Sequence, residues 1–190
     1  NAICAGDTYT LSGATATNYD NLLWTSSGTG SFNDATALNP IYTPSAADET
    51  AGSVTLTLTA SQVAGVCPPA IDNMTLTINP VPAPNAGAND DACGLVYDLN
   101  GTLDIPGTAL WTKVSGPGTV SFNTASSEDP QVTVGSFGTY VFQLQETASG
   151  CSGTSTVQIT FVDAPTASAG GANAICAGDT YTLSGATATN

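Results

Sequence analysis

Ser53–Thr59 (S-V-T-L-T-L-T) and Asn73–Ile78 (N-M-T-L-T-I) alternate apolar and polar residues at period two. Thr139–Gln145 (T-Y-V-F-Q-L-Q) and Thr156–Phe161 (T-V-Q-I-T-F) repeat the pattern later in the chain. A strand turns successive side chains to opposite faces, so this period predicts strands with one face buried and one wet. Threonine at the outward positions suits a pleated, half-exposed surface. No window carries apolar residues at i, i+3, i+4 and i+7, so the pattern offers no helix. Gly, Pro, Asn and Asp punctuate the chain at intervals of about ten residues, and the expected fold is an all-β sandwich.

The same order of elements runs twice. Cys4–Gly13 (C-A-G-D-T-Y-T-L-S-G) and Cys93–Gly101 (C-G-L-V-Y-D-L-N-G) share the Cys and a Tyr-x-Leu-x-Gly. Leu23–Thr25 and Leu110–Thr112 both read L-W-T, and each is followed by a Gly-rich turn and S-F-N. An Asn39–Pro40 or Asp129–Pro130 step then leads to the long alternating strands. Above this lies a larger repeat. Asn1–Asn18, NAICAGDTYTLSGATATN, recurs unchanged as Asn173–Asn190, an offset of 173 − 1 = 172 residues. A fixed self-similarity of this kind predicts a tandem array, here with a period made of two diverged modules of about 85 residues each. The expected layout is module 1 over 1–81, a linker over 82–88, and module 2 over 89–164. A second linker follows over 165–172, and 173–190 is the first strand region of a third module. Pro82, Pro84 and Pro165 stiffen the linkers.

The five cysteines are Cys4, Cys67, Cys93, Cys151 and Cys176. None forms a C-x-x-C pair and histidine is absent, which argues against a zinc site and against a thiol nucleophile with an imidazole base. Disulfides are the expected use, and they imply an oxidising, extracellular setting. In each module one Cys stands at the mouth of the first core strand and the other lies between the last two long strands. The expected bridges are therefore Cys4–Cys67 and Cys93–Cys151, each stabilising by about 4 kcal/mol in the chain-entropy description. Cys176 is then left for the next repeat, or for a copy of Cys67 supplied by a neighbouring subunit.

Fifteen acidic residues against one basic residue, Lys113, give a formal net charge of −14. Nothing is available to neutralise phosphates, so nucleic acid and anionic membrane surfaces are excluded as partners. No stretch approaches the roughly twenty apolar residues of a membrane span, and no signal peptide opens the chain. Charged residues make up only 8% of the chain, and the near-absence of lysine leaves sheet edges without their usual guard against sideways pairing.

The succession Y-T-L-S-G, L-W-T-S-S-G-T-G-S-F, N-P-I-Y-T-P-S-A-A-D, G-S-V-T-L-T-L-T-A, C-P-P and M-T-L-T-I resembles the Ig-like/PKD-like tandem repeats of large Bacteroidota cell-surface proteins. The resemblance covers both modules and is closer in the first; the second has P-Q-V-T-V (Pro130–Val134) where the first has P-I-Y-T-P. It implies a type IX secreted, gliding-adhesin-like setting, a stalk-like surface role and no catalysis.

Trp24 and Trp111 hold equivalent positions and are expected in the two cores, as are Tyr9, Tyr97 and Tyr181, which recur in step with the cysteines. Asn89–Asp90–Asp91 offers the best oxygen ligands for calcium, with Asp90 and Asp91 as weak candidates; the second linker, Gly171–Ala172–Asn173, has no carboxylate to repeat them. Asp48–Glu49 and Glu128–Asp129 are read as turn and surface residues rather than acid–base pairs. Asn73–Met74–Thr75 and Asn100–Gly101–Thr102 match the glycosylation pattern. No catalytic residue, no cofactor and no enzyme activity are expected.

The expected function is a structural repeat unit of an extracellular filament or surface adhesin stalk, whose partners are neighbouring copies of the same repeat. Two alternatives stand beside it. One is a pilin-like subunit that assembles by strand complementation through 173–190. The other is a carbohydrate-binding adhesive module that meets a surface glycan.

Overall fold

The computed structural model describes residues 1–62, 67–171 and 173–189. Ala172 of the second linker and Asn190 of the repeated stretch lie outside the described residues, as does part of the connection ahead of Cys67. The chain is nearly all-β and forms two Ig-like sandwiches. One compact unit comprises Asn1–Ala83, Ile105–Gly107 and Glu146–Gly153; the other comprises Pro84–Asp104, Thr108–Gln145 and Thr154–Asn190.

The first unit runs β1 (Ala2–Cys4), β2 (Tyr9–Thr10), β3 (Asn21–Ser26), β4 (Ser31–Phe32), β5 (Ile41–Thr43), α1 (Ala46–Ala51), β6 (Ser53–Ser61) and β7 (Ala70–Asn79). Its sheets are ordered β1-β7-β6-β3 and β2-β5-β4. Alternation in β3 and β6 sends Leu22, Trp24, Val54, Leu56 and Leu58 inward, where they meet Tyr42 of β5 and Leu76 and Ile78 of β7 in one cluster. The period-two pattern in the sequence is this inward face. β1 breaks the antiparallel scheme by running parallel to β7, with Ala2 opposite Thr77, Ile3 opposite Ile78 and Cys4 opposite Asn79.

The helix α1 has no counterpart in the apolar pattern, because six residues are too few to display a period. Its ends explain it instead. Ser45 caps the N-terminus in a reciprocal box with Asp48, and Gly52, at φ 75°, closes the C-terminus in the left-handed region.

The second unit repeats the plan with β8 (Asp90–Cys93), β9 (Val96–Asp98), β10 (Thr108–Ser115), β11 (Val120–Phe122), β12 (Gln131–Val134), β13 (Gly138–Ala148) and β14 (Cys151–Val162). The sheet orders β10-β13-β14-β8 and β11-β12-β9 match those of the first unit element for element. β8 lies parallel to β14, with Cys93 opposite Val162. Loop bonds are duplicated too. Trp24 N–H donates to Ala35 O and Trp111 N–H to Ala125 O, both at 2.8 Å. Asn33 and Asn123 each accept a backbone N–H, from Ile41 and Gln131, through Oδ1. The tip of the β13–β14 hairpin is Ser149–Gly150, with φ 50° and 83°. Two successive positive φ values are those of the two-residue turn that matches strand twist. This tip, Glu146–Gly153, clusters with the first unit.

Beyond β14, β15 (Thr166–Ser168) pairs antiparallel with β16 (Thr187–Thr189). The two copies of the repeated stretch differ in the strands that flank them. In the first copy its residues form β1 and β2, and Leu11 is 2% exposed; in the second, Leu183 at the same place is 79% exposed. The first copy has β7 and β5 to pair with, whereas Ala174–Cys176 has no strand partner among the described residues. Partner strands, not local propensity, decide the outcome. Leu11→Ala should accordingly cost about 3 kcal/mol, while Leu183→Ala in the same sequence context should cost under about 0.5 kcal/mol. Thermal melts of the two variants check this, and equal losses would contradict it.

Candidate functional site

The cysteine pairing departs from the sequence expectation. Cys4 is bonded to Cys151, with S–S 2.00 Å and Cα–Cα 5.7 Å, across a separation of 147 residues. Cys67, Cys93 and Cys176 are free and exposed. The parallel strands rule out Cys4–Cys67 and Cys93–Cys151. Cys4 faces Asn79 at the end of β7, while Cys67 stands just ahead of its start. At about 3.3 Å per residue those positions are roughly 30 Å apart, and a bridge needs Cα atoms within about 7 Å. Cys93 and Cys151 are likewise set at opposite ends of β14, roughly 35 Å apart. Asn79 marks the bonded corner: its side-chain amide donates to Ser149 O at 3.0 Å, and its own carbonyl accepts Ala5 N–H at 2.8 Å.

Trp24 and Trp111 are both buried. Their indole N–H groups donate to Leu38 O at 3.4 Å and Glu128 O at 3.0 Å. Tyr9 and Tyr97 pack on the edges of the two cores, but Tyr181 is 40% exposed, against the expectation of a core residue. An open groove of about 230 Å³ runs beside Trp24, bounded by Leu11, Leu58, Asp72, Asn73 and Met74. The exposed aromatic side chains are Tyr19, Phe137 and Tyr181. Asn73 and Asn100 of the two glycosylation-type triplets are exposed.

Asp48 is not the surface residue that the sequence suggests. It is 2% exposed and accepts four hydrogen bonds. Oδ1 accepts Thr29 N–H at 2.9 Å; Oδ2 accepts Gly30 N–H at 2.8 Å, Ser45 N–H at 3.0 Å and Tyr42 Oη–H at 2.8 Å. Because Tyr42 gives its proton to Asp48, the 2.8 Å contact with Ser26 must be a donation from Ser26 Oγ–H. Burial raises the Asp48 carboxyl, but the hydrogen bonds from Ser45, Tyr42, Thr29 and Gly30 outweigh it and bring the pKa down to about 2. Burial first, and the bond to Asp48 after it, raises the Tyr42 phenol. The loop approaches so closely that a Cβ on Gly28 would lie 1.9 Å from Asp48 Oδ1, and one on Gly30 2.7 Å from Oδ2. Two signals for this site were in the sequence: the S-x-x-D capping box and the Gly-x-Gly of the facing loop.

Tyr140 crowds Gly116, where a Cβ would come within 2.4 Å of the ring. Lys113 Nζ sits 5.4 Å from that ring's centre and donates to Gly118 O at 2.7 Å. Glu146, fully buried, was also missed in the sequence; it accepts Ile105 N–H at 3.0 Å.

The calcium candidates are committed to local bonds. Asp90 Oδ2 accepts Tyr97 Oη–H at 2.9 Å and Asp90 Oδ1 accepts Asp91 N–H at 2.9 Å. Neighbours on β8 point to opposite faces, so the two carboxylates diverge. Asn89 Oδ1 accepts Gln158 N–H. Among the described residues no group of three or more His, Cys, Asp or Glu is placed to hold a metal ion. Glu49 Oε1 accepts Gly6 N–H at 2.8 Å, whereas Asp48 accepts from Thr29, Gly30, Ser45 and Tyr42. No helix among the described residues is long and apolar enough to cross a membrane. The arrangement can cap, staple and pack.

Residues 98–161, about a third of the chain and spanning β10 to β14 of the second unit, match the family model "K319L-like, PKD domain". No curated protein matches the chain. Among solved structures, the chain is similar to the PKD domain from the KIAA 1837 protein, at 23% identity and TM-score 0.38, covering 48% of this chain and 92% of that one. It is similar also to mouse cadherin-23 EC22-24, at 15% identity and TM-score 0.35, covering 76% and 56%. A third likeness is the I-band fragment I67-I69 from titin, at 12% identity and TM-score 0.41, covering 87% and 63%.

Proposed function

We propose that this protein is the structural repeat unit of an extracellular filament or surface adhesin stalk, in which copies follow one another with a period of 172 residues. The observation that carries the reading is the unchanged recurrence of Asn1–Asn18 as Asn173–Asn190. Two units of one topology within that period, and the PKD-type match in the second, support it. The partners are neighbouring copies, and stability sums over units and joints as in other repeat chains. The Cys4–Cys151 bridge supports an oxidising location at the cell surface or outside it. The motif resemblance favours a Bacteroidota, type IX secreted origin.

A second reading takes residues 173–190, the copy of the segment that forms β1 and β2, as a donor strand. Such a segment suits strand complementation of a neighbouring subunit. The slot beside β7 is already taken by residues 1–18 of the same chain, so complementation requires exchange of identical strands. A boiled, reduced gel of native material separates the readings. One continuous array runs at very high mass, whereas subunits of 18.9 kDa would overturn it in favour of assembly.

A further inference from the structure

We propose that Cys93 of one copy forms a disulfide with Cys67 of the following copy, making a second bridge of the same build as Cys4–Cys151; this rests on the repeat-unit reading above. Cys4 and Cys93 are the same position in the two units. Each ends the short first strand, lies parallel to the last strand and faces its final residue, Asn79 or Val162. Each is followed by the same hydrogen bond, Ala5 N–H to Asn79 O at 2.8 Å and Gly94 N–H to Val162 O at 2.9 Å. Cys151 and Cys67 are the complementary position at the entry to the last strand: Cys151 is the first residue of β14, and Cys67 lies three residues ahead of β7. One first-strand cysteine, Cys4, is bonded to one hairpin cysteine, Cys151. Of the three free and exposed cysteines, Cys176 is the next copy of Cys4, which leaves Cys93 as the unmatched first-strand position and Cys67 as the unmatched hairpin position. Within each sheet, strand length holds the two positions roughly 30 Å or more apart, so the missing partner is a hairpin from another copy.

The two bridges differ in chemistry. The Cys4 corner carries the polar contact from Asn79 to Ser149. At the Cys93 corner Val162 is 46% exposed, and Cys67 is followed by exposed Pro68 and Pro69, so both halves are apolar. The difference discourages cross-pairing between them. A first-strand corner meeting a hairpin tip is a head-to-tail contact, which propagates rather than closing on itself. Formation is thiol–disulfide exchange with a small-molecule or protein disulfide. The Cys93 and Cys67 thiols give up two protons and two electrons as their S–S bond forms, and the oxidant's disulfide takes them up as two thiols.

The test uses the 190-residue chain carrying Cys176→Ser, so that the copy of Cys4 cannot compete. With oxidised glutathione as the probe, the expected result is a ladder of multimers on a non-reducing gel. Peptide mapping of every multimer should give Cys93–Cys67 links with Cys4–Cys151 intact, and Cys67→Ser should collapse the ladder to monomer. Comparable amounts of Cys67–Cys67 or Cys93–Cys93 would mean unselective oxidation and overturn the proposal. So would a Cys67–Cys93 bridge confined to monomers, or no linkage at all. The gel under reduction tests the repeat-unit reading separately, because chain mass does not depend on which thiols pair.

Discussion

Asp48→Ala should lower the stability of the first unit by about 4 kcal/mol, or about 20 °C in melting temperature for a unit of this size. The substitution leaves the buried Tyr42 hydroxyl and three part-buried backbone N–H groups without their acceptor, and each buried donor left unpaired costs about 1–3 kcal/mol. It also removes the capping box of α1, for about 1 kcal/mol. Neighbouring relaxation recovers part of the sum. Asp48→Asn keeps one acceptor oxygen but turns an amide N–H toward donors, so it should be only modestly better. Calorimetry decides: a loss below about 1 kcal/mol for Asp48→Ala would show that the loop, not the carboxylate, holds this corner. The same group sets an acid limit. Its folded pKa of about 2 lies below the unfolded value of about 3.9, so its contribution is complete above that value and fades as pH falls from about 4 to about 2. The shift corresponds to about 2.5 kcal/mol. Asp48→Asn should flatten stability across that window.

Breaking Cys4–Cys151 should cost the first unit about 5 kcal/mol, because a bridge closing 147 residues removes much of the freedom of the unfolded chain. Both Cys151→Ser and a thiol reductant should give this loss. Cys67→Ser, Cys93→Ser and Cys176→Ser should leave the melting temperature of the isolated chain within about 2 °C, as exposed surface changes do. A loss from Cys67→Ser equal to that from Cys151→Ser would contradict the pairing.

The strands and cores were legible in the sequence because they rest on alternation, which one-sided burial enforces residue by residue. Trp24 and Trp111 are where the L-W-T repeats put them for the same reason. The bridge was not legible. It depends on a three-residue strand lying parallel to a strand more than seventy positions later, and parallel pairing has no hairpin to announce it. Cys4 ends β1 instead of opening a core strand, and Cys67 lies ahead of the far end of β7, so strand direction keeps the two apart. Asp48 was misread because burial of a carboxylate is a property of its surroundings. Four donors from three separate segments (Thr29 and Gly30, Tyr42, Ser45) are what make it tolerable.

The parallel run of β1 against β7 bears on how the first unit carries tension. The chain enters along β1 and leaves along β7 in the same direction, so a pull on Asn1 against the exit beyond Asn79 slides the two strands past each other in shear. The ladder's hydrogen bonds then share the load and must yield together, instead of opening one at a time from an end. Cys4 sits at the inner end of that short ladder, and its covalent link to Cys151 takes the force as soon as the hydrogen bonds slip. The three residues of β1 thus work as a fuse with a tether behind it.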